Sequence, residues 1–134
     1  MVNAMPSQCE AQSLPGFIQQ LAVSYVAKGY WFYVTGQVPD HKDPAAVDAK
    51  LFDRYGVGIS PWTRARRKRA GFASVRYLRH GRFFVLIATH GKHPLFEQEP
   101  DIRDIRRRPL KYGGYSVSYR WSSVTGRSHA SVRI

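Results

Sequence analysis

The chain is 134 residues long, 43% apolar and 13% aromatic, a composition that supports one packed core and excludes intrinsic disorder. No apolar run approaches the ~18 residues of a membrane span, and the single cysteine, Cys9, excludes an internal disulfide and a Cys-based zinc site. The net charge of +12 is unevenly spread: residues 1–53 hold three lysines against five acids, whereas residues 54–134 hold eighteen bases against four acids.

Residues 1–12 read as a polar, flexible leader and residues 13–134 as one domain. Residues 1–16 have no cationic start and no apolar signal region, so the cytoplasm is the expected compartment. Ser13 caps a helix with Pro15 in its first turn, Phe17, Ile18, Leu21, Ala22, Tyr25 and Val26 recur at helical spacing, and Gly29 ends it. Residues 30–38, YWFYVTGQV, are β-branched and aromatic on both faces, as in a covered strand. Asp43-Pro44 opens a second helix with a stripe of Val47, Leu51 and Tyr55, Phe52 beside it, running to Gly56. Ser60-Pro61 opens a short cationic helix stopped by Gly71.

The period then changes from helical to alternating. Residues 72–79 and 82–90 flank a His80-Gly81 turn as a β-hairpin, the second strand apolar on both faces and so central. Residues 93–100 read as a loop. Residues 101–108 read as two helical turns with Ile102 and Ile105 inward, acids first and arginines last, ended by Pro109. Residues 114–121 and 128–134 flank a Thr125-Gly126 turn as a second hairpin. The expected fold is a single-domain α+β arrangement: a mainly antiparallel, twisted sheet with helices on one face.

Fifteen arginines against six lysines favour contacts that use a planar fork, such as bidentate phosphate or guanine recognition. The densest cluster is Trp62, Arg64, Arg66, Arg67, Lys68 and Arg69; on a helix Trp62, Arg66 and Arg69 share a face, and the crowded charge is relieved if phosphates meet it. The alternative is a solvated charged helix with Trp62 tucked into the core. A second cluster is Arg106, Arg107, Arg108, Lys111 and Tyr112, a helix end running into a loop whose Gly113 and Gly114 admit close approach of a ligand. With no helical or alternating pattern demanding its burial, Tyr112 is expected to be exposed and to stack on an unpaired base. On the sheet, Arg79 is expected to join the interface, sharing a face with Tyr77 while Arg76 points the other way; Tyr115 and Tyr119 likewise oppose Arg120.

Two histidines, His90 and His93, leave the apolar strand and with Glu97 or Glu99 offer a metal-site alternative. Their spacing of three, with Gly91 and Lys92 between, departs from the His-hydrophobe-His nucleases. Lys28-Gly29-Tyr30-Trp31-Phe32 matches the RNA-recognition-motif signature only in part, since Trp31 occupies a position for a small residue. No nucleotide-cradling glycine loop, nucleophile elbow or zinc-finger spacing is present, so no cofactor is implied. The expectation is a non-catalytic protein that clamps nucleic acid, DNA or RNA, as an accessory subunit of a nucleoprotein assembly. A small metal-dependent nuclease using His90 and His93 and a basic module docking an acidic protein are the alternatives; no membrane partner is expected.

Overall fold

The computed structural model describes residues 10–134, so most of the expected leader lies outside the described residues. Ser13 caps α1 (Leu14–Gln19), its side chain accepting from the Gly16 N–H at 3.1 Å. The helix then widens into a π-helical segment, Gln20–Tyr25, tightens into a 3-10 turn, Val26–Lys28, and ends at Gly29 with φ of +97°. Phe17, Ile18, Leu21, Ala22 and Val26 are buried along this segment. Strand β1 (Phe32–Gln37) follows. Asp43 caps α2 (Pro44–Tyr55) and Ser60 caps α3 (Pro61–Arg69), each with proline in the first turn as the sequence predicts.

Strands β2 (Val75–His80) and β3 (Phe83–Ala88) form a hairpin in which His80 faces Phe83, so the two-residue turn is Gly81-Arg82. After β3 comes a short helix, α4 (Pro94–Gln98), then β4 (Arg103–Asp104), β5 (Leu110–Tyr112), β6 (Tyr115–Ser122) and β7 (Arg127–Arg133). The strands make two antiparallel sheets, one ordered β2-β3-β1-β4 and the other β5-β6-β7. The class is α+β. The layering is richer than one sheet with helices on one face, because both faces of the four-stranded sheet are covered.

Alternation along β2 and β3 explains why. Leu78, Val85 and Ile87 point to one side, where they meet Phe17, Leu21 and Val26 of the first helical segment and Leu110 and Val117 of the small sheet. Val75, Tyr77, Leu86 and Ala88 point to the other side, against Tyr55, Val57 and Leu95. Each fully buried aliphatic or aromatic side chain here contributes about 1.5–3 kcal/mol. At Gly36 the packing is so close that a Cβ would collide with the Phe84 ring directly across the ladder.

Two expectations are corrected. Residues 93–100 are not simply a loop: the His93 side chain caps α4 by accepting from the Leu95 N–H at 3.0 Å, a cap-plus-proline signal with an imidazole in place of a hydroxyl. Residues 101–108 are not a helix. Phe32 pairs with Asp104 and Tyr33 with Arg103, and the Ile105 N–H donates to the Trp31 carbonyl at 2.8 Å. Asp104 Oδ1 accepts from the Arg106 N–H at 2.9 Å, a local bond that competes with helical ones. Ile102 and Ile105 therefore go to opposite cores rather than one helix face.

Candidate functional site

Helix α3 is built to stay outside. None of its residues is buried, its four last-turn residues are all cationic, and Trp62 is 84% exposed. The alternative of a tryptophan tucked into the core is thus excluded. Among the described residues, carboxylates pair only with Arg79 and Arg106, so Arg66, Arg67, Lys68 and Arg69 face solvent without a neutralising acid. Like charges at this spacing disfavour the helix by a few tenths of a kcal/mol per pair. Its order comes from the Ser60 cap, whose Oγ accepts from the Thr63 N–H at 3.2 Å, and from Arg64.

Arg64 is the one cation of α3 that turns inward. Its Nη1 donates to Ser74 Oγ at 2.8 Å and to the Val75 carbonyl at 3.1 Å, while Nη2 donates to the Val57 carbonyl at 2.7 Å. It thus ties α3 to the edge strand β2 and to the chain leaving α2. Burial and the nearby guanidinium of Arg76 depress its pKa, with Arg67 adding to the effect. Ser74 Oγ is also within 2.8 Å of the Tyr30 hydroxyl. Burial pushes that phenol up, but the bonds to Ser74 and Arg76 and the charges of Arg76 and Arg64 bring it below its ordinary value. Beside this knot lies a cleft of about 320 Å³, lined by Arg64, Arg67, Phe72, Ser74 and His93 among others.

The second predicted cluster is dispersed. Arg106 pairs with Asp104 at 2.7 Å and lies over the Trp31 ring at 4.4 Å, so its charge is largely committed; the pair holds Asp104 below and Arg106 above their ordinary values. Arg107 and Arg108 are exposed in the turn after β4 and line a shallow cleft with Asp101 and Arg103. Lys111 is exposed on β5. Tyr112 is corrected: its ring stacks on Phe83 at 3.9 Å with a 7° interplanar angle and meets Phe17 edge-on at 5.5 Å. Its hydroxyl lies 3.0 Å from His80 Nδ1. Both glycines after it are at positive φ, +60° and +85°, as a primed two-residue hairpin turn requires, and they close β5 onto β6.

Arg79 is also corrected. It is 4% exposed and grips the fully buried Asp48 of α2, Nε to Oδ1 at 2.8 Å and Nη2 to Oδ2 at 2.8 Å, with Glu10 beyond at 3.2 Å. Tyr77 shares that face and donates to Asp48 Oδ1 at 2.6 Å. Arg79 is a core strut with no free surface for phosphate.

Sequence reasoning passed over a different surface. The register pairs Ser116 with Arg133, Ser118 with Ser131, Arg120 with His129, Ser122 with Arg127, and Lys111 with Ser116. Directly opposed residues share a face, so one side of the small sheet carries Lys111, Arg120, Arg127, His129 and Arg133 among serines. Its other side carries Val117 and Tyr119 toward the core. No acid occurs after Asp104, a signal visible in the sequence once the strands are paired.

The histidine pair gains no support as a metal centre. His93 Nδ1 accepts from Leu95, which leaves Nε2, 3.0 Å from the Tyr55 carbonyl, to donate there; burial holds its pKa low. Among the described residues no group of three His, Cys, Asp or Glu side chains is placed to hold a metal, and no helix is long and apolar enough to cross a membrane. No protein-family model, curated protein or solved structure matches the chain.

Proposed function

We propose that the protein binds nucleic acid, with α3 as the principal contact and the cationic side of β5–β7 as a second. The observation that carries this reading is an indole, 84% exposed, on a helix whose four last-turn cations have no acidic neighbour among the described residues. Stability alone does not account for that combination, since crowding like charges disfavours the helix and an exposed indole contributes nothing to the core. Phosphates relieve the crowding, and the indole offers a face for an unpaired base. His93 turns both ring nitrogens to the backbone of Leu95 and Tyr55, so the metal-nuclease alternative draws no support from it.

The test is binding of a labelled single strand by fluorescence anisotropy across a salt series. Each phosphate contact contributes roughly 0.7–0.9 to the slope of log affinity against log salt. Replacing Arg66 and Arg69 by alanine together lowers the slope by roughly two such contacts. Trp62→Ala weakens single-strand binding by about 1–3 kcal/mol, and duplex binding much less, with the melting temperature unchanged. A slope unmoved by the double substitution removes α3 from the interface.

A further inference from the structure

The cleft beside α3 is more than a gap between elements. Arg64 and Arg67, three positions apart on α3, both reach it, and Ser74, its Oγ held by Arg64 and the Tyr30 hydroxyl, is part of its wall. Every hydrogen bond that Arg64 makes is to a neutral oxygen, so its charge is positioned but not cancelled. Behind Ser74, Arg76 lies close to the Tyr30 hydroxyl, and its buried Nε has no hydrogen-bond partner among the described residues. Arg67 extends over the end of α2, where its Nη1 would stand 3.7 Å from a Cβ on Gly56. Two guanidiniums thus line the cleft, with the charge of Arg76 acting on Arg64 from behind, and none of the three has a carboxylate among the described residues. Apart from His93, whose ring nitrogens are turned to Leu95 and Tyr55, the rest of the wall is apolar: Ile59, Phe72, Ala73, Val75 and Pro94, with Phe72 partly open to solvent at 44%. A cleft of about 320 Å³ is of the size that takes small ligands.

A phosphodiester in mid-strand carries one negative charge, whereas a phosphate monoester carries about −1.5 to −2 near neutral pH. Two uncancelled guanidiniums in the cleft, with a third charge behind them, suit the monoester better. The apolar wall with its partly exposed ring suits a planar group attached to that phosphate.

We propose that this cleft binds a nucleotide bearing a terminal phosphate monoester, the phosphate meeting Arg64, Arg67 and Ser74 and the base lying against Phe72. The inference rests on the nucleic-acid reading in taking the end of a bound strand as the source of that nucleotide; a free nucleoside monophosphate presents the same chemistry. As the cleft adjoins α3, a strand lying along Trp62 and the outward cations could end in it.

The experiment compares identical labelled single strands carrying a 5′-phosphate, a 3′-phosphate or neither, by anisotropy, and adds adenosine monophosphate as a competitor. The wild-type protein binds one phosphorylated form about tenfold more tightly than the unphosphorylated strand, the gain of a charge-assisted contact. Adenosine monophosphate reduces that form's affinity to that of the unphosphorylated strand. Arg67→Ala and Phe72→Ala, both at exposed positions, collapse the ratio, whereas Arg69→Ala weakens all three strands alike and leaves it intact. Equal affinity for all three strands, unaffected by the monophosphate, overturns the cleft while leaving strand binding by α3 standing. Failure to bind any strand, with adenosine monophosphate still binding in an Arg67-dependent way by calorimetry, overturns the nucleic-acid reading and keeps the pocket.

Discussion

The removal of Asp48 separates structural arginine from functional arginine. Asp48 is fully buried and accepts from Arg79 Nε and Nη2 and from the Tyr77 hydroxyl. Asp48→Ala leaves a guanidinium that is 4% exposed, with partly exposed Glu10 at 3.2 Å its one remaining acid among the described residues. Breaking a buried pair from one side costs about 3–5 kcal/mol, because the surviving charge loses its buried partner, and a partly solvated Glu10 replaces little of it. A chain of this size has a total stability of about 5–15 kcal/mol, so the loss is a large part of it. The expected fall in melting temperature is roughly 10–20 °C. Urea unfolding followed by tryptophan fluorescence gives the free energy directly. The double variant Asp48→Ala, Arg79→Met recovers much of the loss, since an apolar replacement removes the stranded charge along with its partner. Arg79→Met alone strands the carboxylate instead and costs a similar amount, yet leaves the salt slope of strand binding unchanged. Stability within about 1 kcal/mol of wild type in Arg79→Met, together with a shallower salt slope, would refute the assignment and return Arg79 to the interface.

Tyr112→Ala removes a ring stacked on Phe83 and lowers stability by about 2–4 kcal/mol, while Tyr112→Phe forfeits only the His80 contact, about 1 kcal/mol; both are read by denaturant unfolding. Near-wild-type stability of the alanine variant would show that the ring is not core. Burial holds the His93 imidazole below its ordinary value of 6.5, so the unfolded chain takes up a proton that the folded chain resists. Stability is accordingly lost as pH falls through the ordinary histidine value and continues to fall toward the lowered one. His93→Asn keeps a capping oxygen for α4 and flattens that decline in melting temperature between neutral and mildly acidic pH. An equally steep decline in the variant assigns the effect to other groups.

The parts of the fold that were legible are those with a local signal. Asp43-Pro44 and Ser60-Pro61 start helices through their own side chains and prolines, and Gly81 marks a hairpin through its positive φ. The illegible parts depend on partners far away in sequence. Ile102 and Ile105, spaced i and i+3, fit one face of a helix; as a strand the same odd offset puts them on opposite faces, and the free edge of β1 decides for the strand. Alternation shows that Tyr77 and Arg79 share a face, but their partner Asp48 lies about thirty residues earlier, on a helix where a carboxylate reads as solvent-facing. Tyr112 was recoverable: Gly113-Gly114 as a two-residue turn places it opposite Tyr115 and in alternation with buried Leu110.

The arginine excess divides between internal bonding and free surface charge. Arg79 neutralises a buried acid, Arg106 pairs with Asp104, and Arg82 gathers the carbonyls of Val38, Pro39 and Lys42 in the loop after β1. Arg120 bonds Ser118 across its own strand, and Arg64 binds three neutral oxygens. These uses exploit the same fork geometry that suits phosphate, so an arginine bias by itself does not identify a nucleic-acid surface. Arg66, Arg67 and Arg69 have none of these internal employments among the hydrogen bonds and ion pairs of the described residues, as is also true of Arg107, Arg108, Arg127 and Arg133; what sets α3 apart is that its free cations crowd a single helical turn. They stand beside an indole that the core does not use. Charge without internal purpose, on an ordered helix fixed to the sheet by Arg64, is the feature that a polyanion explains and folding does not.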